Sequence, residues 1–295
     1  MEKITISGVP EKRKHQLEEF NRLLDILEEL RVKCPWDKVQ TIDSLRPLTI
    51  EETFELSDAI VKKDYSDMPK ELGDILMHII FYAMMGDEQH LFGLENVIDE
   101  LCTKLIYRHP HVFSTVKVKD AGEVLRNWEQ LKTKEKDGNK TVLSGVPDAL
   151  PSIIKAYRMQ DKARGVGFDW HNKSDVWGKV KEEIGEFKEE MEKMSEYPDG
   201  EIHEGTEKIK AAEGELGDLL FSIINAARLY KLNPDTALES TNRKFKERFT
   251  YMEKKTIRSG KPLTELSLKE MEALWKEAKE KEKINNNVTD NGKNA

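Results

Sequence analysis

Apolar residues recur along most of the chain at intervals of three and four, which places them on one face of an α-helix. No stretch alternates apolar and polar residues as a half-buried strand does. The pattern predicts an all-α protein with helices near 16–31, 45–62, 68–86, 94–108, 121–135, 150–163, 174–194, 207–231, 235–255 and 266–282.

The helical pattern stops once in the middle of the chain. Residues 137–150 are polar and contain Gly138, Gly145 and Pro147, and such breakers are typical of a linker. The pattern therefore predicts two lobes, 1–136 and 151–283. The Asn-rich end of the chain, 284–295, has few apolar residues and is predicted to be disordered.

The two lobes repeat one another. The segment KELGDILMHII at 70–80 matches GELGDLLFSII at 214–224. An EExxE motif precedes each segment, and a Lys-x-x-x-Arg pair and a Trp-x-x-x-Lys pair follow it. Four features in the same order indicate a tandem duplication with one functional unit in each half.

Acidic residues at helical spacing are the main candidates for chemistry. The glutamates of EExxE share one helix face, and so do the two acids of ExxD. The acids are Glu51, Glu52, Glu55, Glu71 and Asp74 in the first half and Glu182, Glu183, Glu186, Glu215 and Asp218 in the second. If two helices bring them together, their repulsion requires a cation, and all-oxygen ligands favour Mg²⁺, or Mn²⁺, over zinc. A di-iron bundle would have ExxH motifs, whereas both repeats have Asp at that position. The competing interpretation of one EExxE motif alone is an ordinary solvated helix face.

The residues around the acids predict that they face the interior of a helical bundle. An apolar stripe flanks the acids in each half; its members are Leu72, Ile75, Leu76, Ile79 and Ile80, and Leu216, Leu219, Leu220, Ile223 and Ile224. Gly73 and Gly217 lie inside these helices, where glycine costs about 1 kcal/mol relative to alanine. Their repetition predicts close approach by a neighbouring helix. His78 has Ser222 as its counterpart, which favours a core or supporting role over metal binding.

Basic and aromatic residues predict a phosphate-bearing ligand. Lys104 with Arg108, and Lys244 with Arg248, each present two cations on one helix face, which suits a polyphosphate beside a carboxylate-held metal. Each pair alone would also fit surface charge. Trp128 and Trp275 offer flat surfaces for a base, although a core or lid position is the alternative.

Composition limits the class of protein. The chain has 295 residues, of which 35% are charged, and a net charge of −8, which argues against broad binding to nucleic acids or anionic membranes. Two cysteines, Cys34 and Cys102, imply no disulfide framework. The N-terminus lacks the apolar run of a signal peptide, and the apolar stretch 75–85 is too short to span a bilayer. These features predict a cytoplasmic protein without a membrane partner.

The motifs TIEETFE, ELGD and RHPHVF, together with the repeated layout, resemble the MazG family within the all-α NTP pyrophosphatase superfamily. The resemblance runs from about residue 15 to about 282. It implies two tandem four-helix-bundle-like lobes, a homodimer, and Mg²⁺-dependent hydrolysis of a nucleoside triphosphate to the monophosphate and pyrophosphate. It also implies that the C-terminal lobe is the main catalytic one.

The resemblance carries roles to particular residues. It implies metal binding and catalysis by Glu182, Glu183, Glu186, Glu215 and Asp218, and nucleotide contact by Lys244, Arg248, Trp275 and Lys279. By the repeat, Glu51, Glu52, Glu55, Glu71 and Asp74 are the first lobe's acids, and Lys104, Arg108, Trp128 and Lys132 are its nucleotide contacts. Glu182, or the equivalent Glu51, is a candidate base that deprotonates the attacking water.

One departure separates the two halves. Glu55 and Glu71 are 16 positions apart, whereas Glu186 and Glu215 are 29 apart. The extra residues fall around 196–208, a polar segment that contains glycine and proline. We expect a longer loop there, which would change lid geometry and base selectivity and leave the metal site intact.

Three alternatives remain open on the sequence. One is a related all-α phosphohydrolase of another nucleotide metabolite, which substrate profiling would reveal. Another is a regulatory module that binds nucleotides or a protein without turnover. A third is a helical scaffold, which the duplicated acids disfavour. The sequence contains neither a P-loop nor an HExxH motif, which excludes those two classes of enzyme.

Overall fold

The computed structural model describes residues 10–120, 122–124, 127–128, 131, 141–170, 172–194, 207–260 and 262–291. These residues form helices, turns and loops, with no strand among them, so the all-α prediction is confirmed. The chain divides into two compact units, Met1–Leu131 and Lys132–Ala295. The exact lobe and linker boundaries stay predictions.

The first unit is built around long helices joined by short connections. Its elements are α1 (Glu11–Lys33), a 3₁₀ turn (Asp37–Val39), α2 (Ile42–Lys62), α3 (Met68–Glu88), α4 (Leu94–Arg108) and the short α5 (Pro110–Phe113). The positions described within the predicted helix 121–135 are also helical. Helices α2 and α3 pack against each other along their length.

The second unit repeats the helix pair that carries the acids. Its elements are α6 (Ser152–Gly165), α7 (Lys173–Met194), α8 (Glu207–Leu229), α9 (Pro234–Ser259), a 3₁₀ turn (Leu263–Glu265) and α10 (Leu268–Asn291). Helices α7 and α8 pack together as α2 and α3 do. No helix in the described ranges has the length and apolarity needed to cross a membrane.

Local sequence fixes where important helices begin and end. At the start of α2, the Ser44 amide donates to Thr41 Oγ1 at 3.1 Å and the Thr41 amide donates to Ser44 Oγ at 2.8 Å. At the start of α9, the Thr236 amide donates to Asn233 Oδ1 at 3.0 Å. Helix α9 ends at Ser259, and the next residue, Gly260, has a left-handed φ of +71° that suits glycine. These caps satisfy amides that a helix end would otherwise leave unpaired.

The core of the first unit lies where α1, α2 and α3 meet. Its fully buried members are Leu27, Leu45, Ile80, Phe81 and Met85. His78 is buried beside them, which confirms its predicted core position. Burial lowers the pKa of His78, because the charged imidazolium loses its hydration there.

One arginine ties the start of α2 to α1 and α3. Arg31 Nη1 donates to the carbonyl oxygens of Asp37 and Gln40 at 2.6 and 2.9 Å, and its Nε donates to Glu88 Oε1 at 2.7 Å. Arg31 thereby lowers the pKa of Glu88 by hydrogen bonding and charge. The segment that leads into α2 is therefore anchored to both neighbouring helices.

The second unit has a smaller buried core between α7 and α8. Val176 and Val180 of α7 pack on Ala226 of α8. Arg228, at the end of α8, is buried and donates to both carboxylate oxygens of Asp169. The loop after α6 is thus joined to α8 by a charged pair, and this pair extends the contacts that hold α8 in place.

The predicted core stripe is wrong in its extent. Ile80 and Ile224 are buried, but Leu72 and Leu220 are 51% and 52% exposed, and Leu76, Ile79, Leu216 and Ile223 are exposed as well. Among the described residues, no atom lies within 4 Å of a Cβ added at Gly73 or Gly217, so the predicted close approach of a neighbouring helix is not found there. The periodicity identified an apolar face correctly, but much of that face is exposed, and the core also takes Phe81 and Met85 from outside the predicted stripe.

The last helix reaches into the end of the chain. Helix α10 continues to Asn291, into the segment 284–295 that composition predicted to be disordered. Each residue added to an existing helix gains one hydrogen bond and fixes only its own backbone dihedrals, whereas starting a helix fixes several residues for one bond. An existing helix can therefore extend into a polar sequence.

Candidate active site

Three carboxylates of the first unit converge between α2 and α3. Oxygen atoms of Glu52, Glu55 and Glu71 all lie within 4.8 Å of one another. Glu52 and Glu55 are on adjacent turns of α2, and Glu71 is in the first turn of α3. The packing of these two helices therefore creates a cluster that we call the first acidic cluster.

The second unit has an equivalent second acidic cluster between α7 and α8. Oxygen atoms of Glu183, Glu186 and Glu215 again lie within 4.8 Å of one another. Each member matches a residue of the first acidic cluster in the repeat. The structure thus brings together six of the predicted metal ligands, three in each unit. One ion in each unit could contact the three carboxylates of that unit.

The two remaining predicted ligands are less closely placed. Asp74 stands outside the three-carboxylate group, yet its charge raises the pKa of Glu52, so it lies beside the first acidic cluster. Asp218 is exposed and is also outside the second group. Their roles as metal ligands stay predictions.

Burial makes the clusters unfavourable without a cation. Glu71 and Glu183 are 7% and 4% exposed, and the Oε2 atom of each is buried without a hydrogen-bond partner. An unpaired carboxylate oxygen removed from water is costly, whereas a hard divalent cation satisfies it directly. The all-oxygen donor set and these unpaired oxygens fit Mg²⁺ or Mn²⁺.

Protonation is the alternative response to crowding. The pKa values of Glu52, Glu71 and Glu186 are raised, chiefly because burial disfavours the charged form. Glu55 adds repulsion toward Glu52 and Glu71, and Glu183 adds it toward Glu186. These shifts are the expected result of carboxylates that face one another across a helix pair.

The candidate bases lie at the edges of the clusters. Glu51 is exposed and raises the pKa of Glu52 by its charge. Glu182 is exposed and accepts a hydrogen bond from Lys179 at 2.9 Å. Both are accessible to water, and their part in proton transfer stays a prediction.

Lys179 is a site residue that the sequence reasoning missed. Its Nζ lies 2.5 Å from Glu183 Oε1, so an ammonium group contacts the second acidic cluster directly. Hydrogen bonds to Glu183 and Glu182 raise the pKa of Lys179 well above its ordinary value. Its position four residues before Glu183 was the available signal, because that spacing places both side chains on one face.

The predicted cations and tryptophans meet in each unit. The guanidinium of Arg248 lies 5.4 Å from the centre of the Trp275 ring, and its Nε donates to Glu282 at 2.8 Å. In the first unit, Arg108 lies 5.8 Å from the centre of the Trp128 ring. These are cation–π distances. A base platform at either tryptophan stays a prediction.

The structure describes three of the four lysines predicted to contact the nucleotide. Lys104, Lys244 and Lys279 are exposed, as a binding surface requires, while Lys132 lies outside the described residues. Most of the extra segment before Glu215 also falls outside them, at 195–206. Part of the extra length is helical, since α8 begins at Glu207, eight residues before Glu215, whereas α3 begins only three residues before Glu71.

Comparison with known proteins identifies the family. A family model described as the MazG nucleotide pyrophosphohydrolase domain matches residues 40–113 and again residues 174–252. Each match contains one acidic cluster. The chain belongs to the MazG family.

Similar proteins share both units. The chain is 36% identical over 271 residues to the nucleoside triphosphate pyrophosphohydrolase of Escherichia coli K12, covering 90% of this chain and 99% of that protein. It is 38% identical over 263 residues to the nucleoside triphosphate pyrophosphohydrolase/pyrophosphatase MazG of Thermotoga maritima, covering 88% and 95%. It is also 42% identical over 268 residues to the uncharacterized protein YabN of Bacillus subtilis, covering 90% and 52%. The matched region therefore spans nearly the full length of the first two relatives and about half of the third.

The raised pKa of Glu71 predicts a specific stability change. A folded-state pKa above the unfolded value costs stability once the pH exceeds the unfolded value, and the full cost is present above the folded value. We expect Glu71→Gln to raise the melting temperature of the protein in EDTA at neutral pH, because it removes one charge. The gain should shrink as the pH falls toward about 4.5, the ordinary pKa of a glutamate.

The control for this measurement is Glu100→Gln, since Glu100 is exposed on α4. It should leave the melting temperature nearly unchanged across the same pH series. A Glu71→Gln protein that is less stable than the wild type at neutral pH would contradict the role assigned to carboxylate repulsion.

Proposed function

We propose that this MazG-family chain hydrolyses nucleoside triphosphates to the monophosphate and pyrophosphate, with Mg²⁺, or Mn²⁺, held by the acidic clusters. The observation that carries the proposal is the convergence of three carboxylates in each unit around a buried oxygen without a partner. The names of the Escherichia coli and Thermotoga maritima relatives support the reaction.

The proposal assigns the metal to residues of each helix pair. The ligands are Glu52, Glu55 and Glu71 with Asp74 nearby in the first unit, and Glu183, Glu186, Glu215 and Asp218 in the second. When bound, Mg²⁺ would offset the repulsion among the carboxylates and stabilise negative charge on the triphosphate oxygens.

The chain's own residues supply the proton transfer and the nucleotide contacts. Glu182, or Glu51 in the first unit, orients a water molecule and accepts its proton. The water oxygen bonds to phosphorus, the bond that joins the α- and β-phosphates breaks, and pyrophosphate leaves. Lys244 and Arg248 stabilise the charge on the leaving pyrophosphate. Departure of pyrophosphate corresponds to attack at the α-phosphorus; attack at the β-phosphorus would expel the monophosphate instead and give the same two products.

Nucleotide binding completes the second unit's site. Trp275 and Lys279 contact the nucleoside part, while Arg248 exchanges its bond to Glu282 for a phosphate. Lys104, Arg108, Trp128 and Lys132 have the same roles in the first unit. The C-terminal unit is the main catalytic one in this proposal, which rests on the family resemblance. A cytoplasmic location accords with a nucleotide substrate and with free thiols at Cys34 and Cys102.

The exposed apolar faces support a homodimer. Leu72, Leu76 and Ile79 form one such face on α3, and Leu216, Leu220 and Ile223 form its counterpart on α8. Contiguous exposed apolar residues are typical of protein–protein interfaces. Both faces lie on the helices that carry ligands of the clusters, so a second copy that covered them would also exclude water near the metal.

The reaction is tested by product identification. Purified protein is incubated with each ribo- and deoxyribonucleoside triphosphate and Mg²⁺, and the products are separated by ion-exchange chromatography. We expect monophosphate and pyrophosphate in equal amounts, and no reaction in EDTA. Diphosphate and orthophosphate as the first products would rule out a pyrophosphohydrolase, and the panel also shows which base and sugar are preferred.

The division of labour between the units is tested by matched variants. We expect Glu183→Ala or Asp218→Ala to lower kcat by about a hundredfold or more, the scale typical of losing a group that stabilises transition-state charge. Glu52→Ala and Asp74→Ala should have smaller effects. Circular dichroism confirms that each variant is folded, and equal losses in both sets would show that the first unit is equally catalytic.

The homodimer is tested by light scattering after size exclusion. The wild type should have about twice the 34.1 kDa mass of one chain. Leu76→Glu combined with Leu220→Glu should shift the protein toward the monomer, because it places charge on both apolar faces. Leu232→Glu, at an exposed position after α8, is the control. A wild-type protein that remains a monomer at high concentration would refute the dimer.

A further inference from the structure

The two acidic clusters differ at one position of the repeat. Lys179 stands four residues before Glu183 in α7, whereas Leu48 stands four residues before the equivalent Glu52 in α2. Leu48 packs against the hydrophobic core of the first unit. One unit therefore uses this helix position for packing, and the other places a cation on it.

Lys179 contacts the cluster itself. Its Nζ lies 2.5 Å from Glu183 Oε1 and 2.9 Å from Glu182 Oε1. The Glu183 side chain is only 5% exposed, and its other oxygen, Oε2, is buried without a partner. Lys179 also opposes the rise in the pKa of Glu186. The ammonium group thus neutralises part of the charge that a metal ion would otherwise balance.

Among the residues that the structure describes, no cation contacts the first acidic cluster as Lys179 contacts the second. The charges that act most strongly on Glu52 and Glu71 belong to other carboxylates. The charge of Lys70 does interact with Glu71, but Lys70 is exposed and bonded to Asp67 at 2.5 Å. Among the described residues, the counter-ion that the second cluster holds at Glu183 thus has no equivalent at Glu52 or Glu71.

Helix stability alone does not account for the Lys179–Glu183 pair. On a helix, a lysine four residues before a glutamate stabilises less than the reverse order does. Because Glu183 is buried, the pair also loses hydration that an exposed ion pair would retain, and this loss is unfavourable. The pair is better explained by the cluster, whose unpaired negative charge requires a cation in the metal-free protein.

We propose that Lys179 is a built-in counter-ion of the second acidic cluster, which a divalent cation must displace from Glu183 before it binds there. This inference rests on the proposed function, because it takes the cluster to be a metal site. According to this inference, Lys179 lowers the metal affinity of the second unit. The first unit has Leu48 at the equivalent position, and Leu48 does not compete with the metal. Lys179 is a positioning residue in this proposal, since it acts through Glu183.

The test measures Mn²⁺ binding to the second cluster alone. The background variant, in which Glu52, Glu55 and Glu71 are all replaced by Gln, removes the charge of the first acidic cluster, so isothermal titration calorimetry reports the remaining site. On this background we expect Lys179→Met to tighten Mn²⁺ binding roughly three- to tenfold, the scale of releasing a partly exposed ion pair. Lys179→Arg keeps the cation and should bind as the background does, and so should Lys181→Met, which changes an exposed lysine on the same helix.

Thermal melting gives a second readout. In EDTA, Lys179→Met should melt at a lower temperature than the background, because the carboxylates lose their counter-ion, and saturating Mn²⁺ should raise its melting temperature more. If Lys179→Met does not fold, Lys179→Gln is used in the same two measurements.

Separate outcomes distinguish the inference from the proposed function. Unchanged or weaker Mn²⁺ binding by Lys179→Met, in a background that does bind Mn²⁺, overturns the counter-ion role and leaves the metal centre in place. Failure of the background and the wild type to bind Mn²⁺ overturns the metal centre, and the counter-ion role with it.

Discussion

Repulsion among three converging carboxylates in each unit, one of them buried, is the constraint on which this structure depends. Two like charges 4 Å apart repel by about 4 kcal/mol at the effective dielectric of a protein surface, and each unit brings three within 4.8 Å. Such a cluster exists only because the rest of the unit holds its two helices together. In the first unit, Arg31, the cap at Thr41 and the core around Leu45 fix α2 against α3. In the second, Val176, Val180 and the Arg228–Asp169 pair hold α7 and α8.

The two units answer the same repulsion differently. In the first, burial and neighbouring acids raise the pKa of Glu52 and Glu71, and the strongest charges acting on both glutamates belong to other carboxylates. In the second, Lys179 supplies a positive charge at Glu183. A duplicated site has thus kept its carboxylates and acquired a different electrostatic balance in each copy, a difference that a comparison of acidic residues alone does not reveal.

A large apolar face beside the acids connects the site to assembly. Leu72 and Leu220 are more than half exposed, although they lie on the helices that supply Glu71 and Glu215. A face of this kind beside a metal site suits a partner that excludes water from the chemistry. Gly73 and Gly217 lie on the same two helices, and among the described residues no atom lies within 4 Å of a Cβ added at either.

The sequence by itself determined the all-α class, the duplication and the two sets of acids, because helical periodicity and the i, i+3 and i, i+4 spacings are local properties of the chain. It also placed His78 in the core correctly. Only the tertiary structure decided which side of α3 and α8 is buried, since periodicity shows that a face is apolar and does not show what covers it. The contact of Lys179 with Glu183 is an i, i+4 contact within α7 and was open to sequence reasoning. Only the tertiary structure decided that this pair belongs to a cluster with Glu215, because that depends on how α7 packs against α8.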